Sequence, residues 1–257
     1  MRRLLDWGAT LVFFPVFVLV LLVFEVIQRV AKAFGKRSHD WAVAGLCTAL
    51  VGAFRVVGLR LEVARSPLVR PHTPYLIVSN HQSMFDIALL GYLLLTNFPK
   101  FVSKRELARW TPSVAYNLRR GGNALIDRAD REQAEAAIAA LGRRVETNGV
   151  SAVIFPEGTR ARGGMLGAFK PRGSLALLAA APATAIVPVT IDDSWRLMQW
   201  SFLPLPFGVR VRVRIDAPIA RHAREDHDAL LQRVRAQIED NLAEMRGATR
   251  PRARVAC

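Results

Sequence analysis

The residues best suited to move a proton sit in one short segment. Asn80-His81-Gln82-Ser83-Met84-Phe85-Asp86 sets an imidazole five positions ahead of a carboxylate. On one continuous helix the two side chains would point about 140° apart, at 100° per residue, so they meet only if the chain turns between them. The apolar run at 75–79 (YLIVS) reads as a buried strand. The turn expected is therefore a strand-to-helix junction, the kind of place where ligands gather in open α/β sheets. There Asp86 would accept the Nδ1–H of His81, fix its tautomer and leave Nε2 as a base. The plainer alternative is that Asp86 only caps its helix and His81 is a loop residue.

Three further segments stand at predicted strand ends. In Phe155-Pro156-Glu157-Gly158-Thr159-Arg160, Pro156 ends the ladder and Gly158 permits an unusual turn. Exposed backbone N–H groups and Arg160 can then cradle an anion. Gly122-Asn123-Ala124-Leu125-Ile126-Asp127-Arg128 brings another arginine to a strand end, and Ile186-Val187-Pro188-Val189 is a strand interrupted by a residue with no ladder donor.

The elements that must position these residues alternate. Strands are predicted at 75–79, 101–103, 124–126, 151–155, 185–191 and 209–215, and helices at 86–96, 112–119, 131–146, 174–180 and 225–246. The helix at 131–146 carries Ala134, Ala137, Ile138, Leu141 and Val145 on one face; the last helix carries Leu230, Leu231, Val234, Ile238, Leu242 and Met245. This predicts an α/β fold, a mixed sheet flanked by helices. Residues 55–70, with Arg55, Arg60, Arg65 and Arg70, read as a basic connector. Val209-Arg210-Val211-Arg212-Val213-Arg214-Ile215 alternates strictly and reads as a half-buried strand with a solvated arginine face, the alternative being a basic face on a lipid surface or a carrier's phosphates. Trp195, Trp200, Phe202, Leu203 and Leu205 form an aromatic-rich loop, read either as core or as an interfacial contact.

The front of the chain is different. Residues 7–24 are 18 in a row without a charge, about 27 Å of helix, near the minimum for a membrane span. Pro15 lies inside this run, and a second uncharged run at 41–54 is too short to span upright. Arg2 and Arg3 precede the first run, and Arg29, Lys32, Lys36 and Arg37 follow it. Positive charge on both sides suits a membrane-associated helical hairpin that re-enters one anionic surface; a signal anchor that spans is the alternative. The chain divides into a membrane-anchoring segment 1–54, a catalytic domain 55–246 and a basic tail 247–257. With 36 Lys and Arg against 21 Asp and Glu, the net charge of +15 calls for anionic partners. Cys47 and Cys257 are the only cysteines, which fits a reducing compartment.

Taken together, the four segments resemble the glycerolipid acyltransferase family, typified by 1-acylglycerol-3-phosphate acyltransferase. The family's His-x4-Asp block matches Asn80 to Asp86, and its Phe-Pro-Glu-Gly-Thr-Arg block matches Phe155 to Arg160 without change. Its Gly-x-x-Phe-x-x-Arg block matches Gly122 to Arg128 with Leu125 for phenylalanine, and its apolar-proline block matches Ile186 to Val189. The segments around Lys104 and Lys170 also look like family segments, and the resemblance covers roughly 55–220. It implies transfer of a fatty acyl group from acyl-CoA or acyl carrier protein, with no cofactor and no metal, to the hydroxyl of 1-acyl-sn-glycerol 3-phosphate, giving phosphatidic acid. His81 is the implied base and Asp86 its partner. Arg128 and the turn of Glu157, Gly158, Thr159 and Arg160 are the implied phosphate site, with Asn80, Lys104 and Lys170 as further site residues. The implied partners are a membrane lipid and the acyl carrier, at the cytoplasmic face of the inner or cytoplasmic membrane. Another lysophospholipid or a lyso-ornithine lipid is the alternative acceptor, and an inactive membrane scaffold the alternative role.

Other classes fit less well. Arg and Lys are scattered through connectors and termini without a nucleic-acid-binding motif, and an apolar anchor serves no such role. The histidines, His39, His72, His81, His222 and His227, lack the HExxH spacing of a metal hydrolase. No Gly-x-Ser-x-Gly elbow supplies a serine nucleophile.

Overall fold

The computed structural model describes residues 2–200, 203–222 and 225–247. Phe202 of the aromatic loop and the basic tail beyond Gly247, with Cys257, lie outside the described residues. Two long helices, α1 (Arg2–Ala33) and α2 (Lys36–Phe54), lead into a seven-stranded mixed sheet. Its strands are β1 (Arg60–Arg65), β2 (Leu76–Ser79), β3 (Lys100–Lys104), β4 (Ala124–Ile126), β5 (Ala152–Ile154), β6 (Ile186–Asp192) and β7 (Arg210–Ile215). Between them run α3 (Phe85–Leu93), α4 (Val114–Arg120), α5 (Arg131–Asn148) and α6 (Pro171–Ala180), and α7 (His227–Met245) closes the fold.

The sheet order is β1-β7-β6-β2-β5-β3-β4. Strands β6, β2, β5, β3 and β4 run parallel, so their carboxyl ends share one edge. That edge receives Asn80, Lys104, Arg128, Pro156 and Asp193. β6 changes partner along its length: Ile186 to Val189 register with β2, and Val189 to Asp192 run antiparallel to β7. Pro188 sits at this changeover. It has no N–H to give, and its carbonyl accepts Asp216 N at 3.0 Å.

Alternation along the strands builds a core on each face. On one face Ile77, Val153, Val187, Val189 and Ile191 pack with Phe54, Phe85, Leu89 and Leu90 of α2 and α3 and Phe13 of α1. On the other, Leu76, Val78, Ile154 and Ile186 meet α5, α6 and α7 through Ile138, Leu141, Leu177, Val234 and Ile238. The predicted stripes of α5 and α7 supply this second core.

Two sequence readings change. Residues 55–70 are not a plain connector: 60–65 form β1, an edge strand parallel to β7. Charges at an edge blunt further pairing and mask the alternation of Leu61 and Val63; Glu62 pairs across to Arg210 at 3.3 Å. The arginine face of β7 is not simply solvated either. Arg212 lies 2.8 Å from Asp192, and Arg214 pairs with Asp216 at 3.2 Å and Glu244 of α7 at 2.6 Å. In the aromatic loop Leu205 is buried, whereas Trp200 and Leu203 stay exposed.

Both α1 and α2 are long and apolar enough to cross a membrane. α1 runs unbroken through Pro15 and exposes Leu4, Leu11, Leu19, Leu22 and Val26, while α2 is largely covered. The pair is fastened to the sheet domain. The Asp6 carboxylate accepts Phe207 N at 2.8 Å, and Thr10 Oγ1 accepts Leu205 N at 2.9 Å. At the other end of α1, Gln28 donates to Ser113 O at 3.2 Å, and Glu25 accepts Ser113 N at 2.5 Å. Lys100 of β3 and Asp40 of α2 form a buried ion pair at 2.5 Å.

Candidate active site

β2 ends at Ser79, and the backbone turns through residues 80–84 before α3 begins at Phe85. The turn folds His81 back onto the first residues of the helix. His81 Nδ1 lies 2.9 Å from Asp86 Oδ2. A carboxylate can only accept, so Nδ1 carries the proton and Nε2, with no partner among the described residues, is free to act as a base. The ring lies parallel to Phe155 at 4.1 Å between centroids, which fixes its plane.

Asp86 does not cap its helix; it gathers the turn before it. Its Oδ2 also accepts Gln82 N at 2.7 Å and Ser83 N at 2.8 Å, both ahead of α3, while still receiving His81. Oδ1 accepts Ser194 Oγ–H at 2.6 Å. The carboxylate is fully buried, with both oxygens engaged. Asn80 locks the base of the turn: its amide donates to Ile191 O and accepts from Ile191 N, both at 2.8 Å, joining the ends of β2 and β6.

The Phe155–Arg160 segment packs against the same turn. Gly158 has φ of +66°, in the region that favours glycine, and a Cβ there would meet the Lys170 side chain at 3.3 Å. Ala161 N donates to His81 O at 2.6 Å. Glu157, grouped by sequence with the phosphate-binding residues, points inward instead. Its Oε1 accepts His81 N at 2.7 Å and its Oε2 accepts Gly167 N at 2.7 Å, with the side chain almost fully buried. With both oxygens occupied, the side chain ties the His81 turn to the loop at Gly167. Burial pushes its carboxyl above the ordinary value, against the pull of the two N–H donors and of His81.

The expected cations divide into two groups. Arg160 and Lys170 flank the Gly158 turn, both exposed, with Arg160 Nη1 3.6 Å from Met198 Sδ. Thr159 beside them is also exposed. Arg128 and Lys104 stand exposed at the ends of β4 and β3, which register side by side. β4 is three strands from β2, about 14 Å at normal strand spacing. Among the described residues, no hydrogen bond or ion pair joins Arg128 or Lys104 to the His81 cluster.

Sequence reasoning read the segment after β6 only as an aromatic-rich loop and passed over Asp192, Asp193 and Ser194. Asp192 is buried beneath the site, 2.8 Å from Arg212 and 2.5 Å from Arg246, with Gln82 at 3.5 Å. Burial alone would raise its carboxyl; hydrogen bonds and charge from Arg246, joined by Gln82 and Arg212, hold it below 3.8. The next residues form a 3₁₀ turn, Ser194–Met198, which contacts Asp86, Met84 and Arg160. The signal available was positional: a polar stretch directly after a parallel strand.

A model of the family described as Acyltransferase matches residues 60–192. The 1-acyl-sn-glycerol-3-phosphate acyltransferase alpha of sheep (Ovis aries) is 33% identical over 183 residues, 69% of this chain and 61% of its own length. The 1-acyl-sn-glycerol-3-phosphate acyltransferase of Salmonella typhimurium is 26% identical over 188 residues, 73% of this chain and 75% of its own. The chain thus spans about three-fifths of the length of the sheep relative. Among solved structures, the 1-acyl-sn-glycerophosphate (LPA) acyltransferase PlsC from Thermotoga maritima matches with a TM-score of 0.78 and 22% identity, covering 98% of this chain and 100% of that one. At that identity the likeness is one of fold.

Proposed function

The chain belongs to the acyltransferase family, whose model spans residues 60–192, and we propose that it acylates the free hydroxyl of 1-acyl-sn-glycerol 3-phosphate to give phosphatidic acid. The donor is an acyl thioester, acyl-CoA or acyl carrier protein. The observation that carries this reading is the 2.9 Å contact of His81 Nδ1 with a buried, fully engaged Asp86, which leaves Nε2 as the base. Nε2 removes the proton of the acceptor hydroxyl as its oxygen attacks the thioester carbonyl carbon. The C–S bond breaks, and the imidazolium returns the proton to the departing thiolate. Asp86 holds the ring and stabilises the imidazolium, so no protein nucleophile is required. Arg160 and Lys170 at the Gly158 turn supply positive charge for the acceptor phosphate, with Arg128 and Lys104 along the same sheet edge. Holding the phosphate fixes the hydroxyl near His81, which lowers the barrier by positioning.

The acceptor is amphiphilic, and the front of the chain suits it. Asp6 and Gln28 are about 33 Å apart along α1 at 1.5 Å per residue, yet both bond to the sheet domain. A helix tethered at both ends to one domain cannot cross a ~30 Å hydrocarbon core away from it. These tethers support α1 lying in one leaflet with Leu11, Leu19 and Leu22 in lipid; the cytoplasmic leaflet is the proposed one. Cysteines introduced at positions 3 and 36 should be labelled from the same side of sealed vesicles; labelling from opposite sides would establish a span.

A panel of lyso-lipid acceptors, offered with labelled acyl-CoA and acyl carrier protein in turn, tests the substrate. Preferred turnover of 1-acyl-sn-glycerol 3-phosphate is the expected result. Preference for a lyso-ornithine lipid or a headgroup-bearing lysophospholipid would move the assignment within the family, and no turnover at all would favour a scaffold.

A further inference from the structure

The Asp86 carboxylate is served unequally on its two oxygens. Oδ2 receives three donors from its own turn: His81 Nδ1, Gln82 N and Ser83 N. Oδ1 receives Ser194 Oγ at 2.6 Å, and Ser83 Oγ only at 3.4 Å. Ser194 is 108 residues away in sequence, and both side chains are completely buried. The backbone takes an uncommon path to deliver it. Asp193, immediately before, has φ of +66°, an uncommon conformation for a residue with a side chain. It is held there by Arg196 at 2.7 Å and Arg212 at 3.3 Å. The same turn carries Met198, whose sulfur accepts Met84 N at 3.3 Å and lies 3.6 Å from Arg160 Nη1.

We propose that Ser194 is a positioning residue for the reaction, acting on His81 through Asp86. The proposal rests on the acyl-transfer reading above and adds a member to its dyad from the 3₁₀ turn that follows β6. A buried carboxylate with one oxygen short of donors is costly to keep charged. Without the Ser194 hydroxyl, Asp86 is free to rotate about its side chain, and once rotated it no longer fixes the Nδ1–H tautomer of His81.

Three readouts test it on the intact membrane-bound protein. Ser194→Ala should lower kcat about 10- to 100-fold, the range for losing a hydrogen bond to a charged group, while KM for acceptor and donor moves by less than about two-fold. In an Asp86→Asn background, Ser194→Ala should cost almost nothing further, since residues acting through one another are not additive. Ser194→Cys, close in size and a weaker donor, should fall between wild type and Ser194→Ala, and it replaces the alanine variant if that one does not fold. Full kcat in Ser194→Ala, or equal losses in both backgrounds, would overturn the proposal. A His81→Ala protein with wild-type turnover would instead overturn the acyl-transfer mechanism beneath it.

Discussion

The two halves of the functional sheet edge are built differently. Where β2, β5 and β6 end, Asp86, Glu157 and Asn80 are buried and hydrogen-bonded across three loops, and Arg160 and Lys170 stay exposed at the rim. Where β3 and β4 end, Lys104 and Arg128 stand in solvent. Proton transfer needs a fixed tautomer at a fixed distance, which only a saturated, buried network supplies. Gripping a phosphate needs charge that can be recruited, and exposed arginine and lysine provide it at little cost. The buried network should therefore govern kcat and the exposed cations KM.

The sharpest way to break that division lies in Glu157. Glu157→Gln keeps one acceptor oxygen but turns an NH₂ group toward a backbone N–H, of His81 or of Gly167. The expected outcome is a fall in kcat of about 10- to 100-fold with acceptor KM little changed, as for other buried groups left mismatched. A selective rise in acceptor KM would instead return Glu157 to the phosphate site.

Arg160→Lys, at the turn after β5, and Arg128→Lys, at the end of β4, address the exposed cations. Each should raise the acceptor KM about 10-fold, the loss of one charge-assisted contact, with kcat within a few-fold of wild type. Steady-state kinetics with each substrate varied in turn makes the comparison. Movement of the donor KM alone would assign these arginines to the carrier's phosphates.

The smallest effect concerns support rather than chemistry. Asp192 is held below its ordinary value of 3.8 mainly by Arg246 against the cost of burial. A carboxyl depressed in the folded state contributes stability above its unfolded pKa and loses it as pH falls through the folded value. Arg246→Ala removes that partner, so acid unfolding should begin at higher pH. At neutral pH the loss should be about 1 kcal/mol, kept small because Arg246 is partly solvated. An unchanged acid transition would show that Arg212 alone suffices.

Much of this was legible in the chain. Strand–helix alternation gave the mixed sheet, and the stripes of α5 and α7 supply its second core. His81 and Asp86 were readable because their spacing makes sense only at a strand-to-helix turn. What escaped depends on partners distant in sequence. β1 was hidden because Arg60, Glu62 and Arg65 suit an edge strand and a connector equally. The arginines of β7 looked solvated because Asp192, Asp193 and Glu244 lie far from them in sequence. Glu157 sits in a cation-containing motif, and only the fold shows its oxygens on two backbone N–H groups. Ser194 has no periodicity around it, and the bend at Asp193 that aims it leaves no mark in the residue types.

The central claim is that His81 Nε2 is the base that activates a lipid hydroxyl. Its most direct test is the rate of phosphatidic acid formation from radiolabelled acyl-CoA and 1-acyl-sn-glycerol 3-phosphate by the purified, vesicle-bound protein and its His81→Ala variant. With both substrates saturating and the thermal midpoint unchanged, the variant should be slower by about 10²- to 10⁴-fold, the usual cost of losing a general base. Turnover of the variant within a few-fold of wild type would contradict the account.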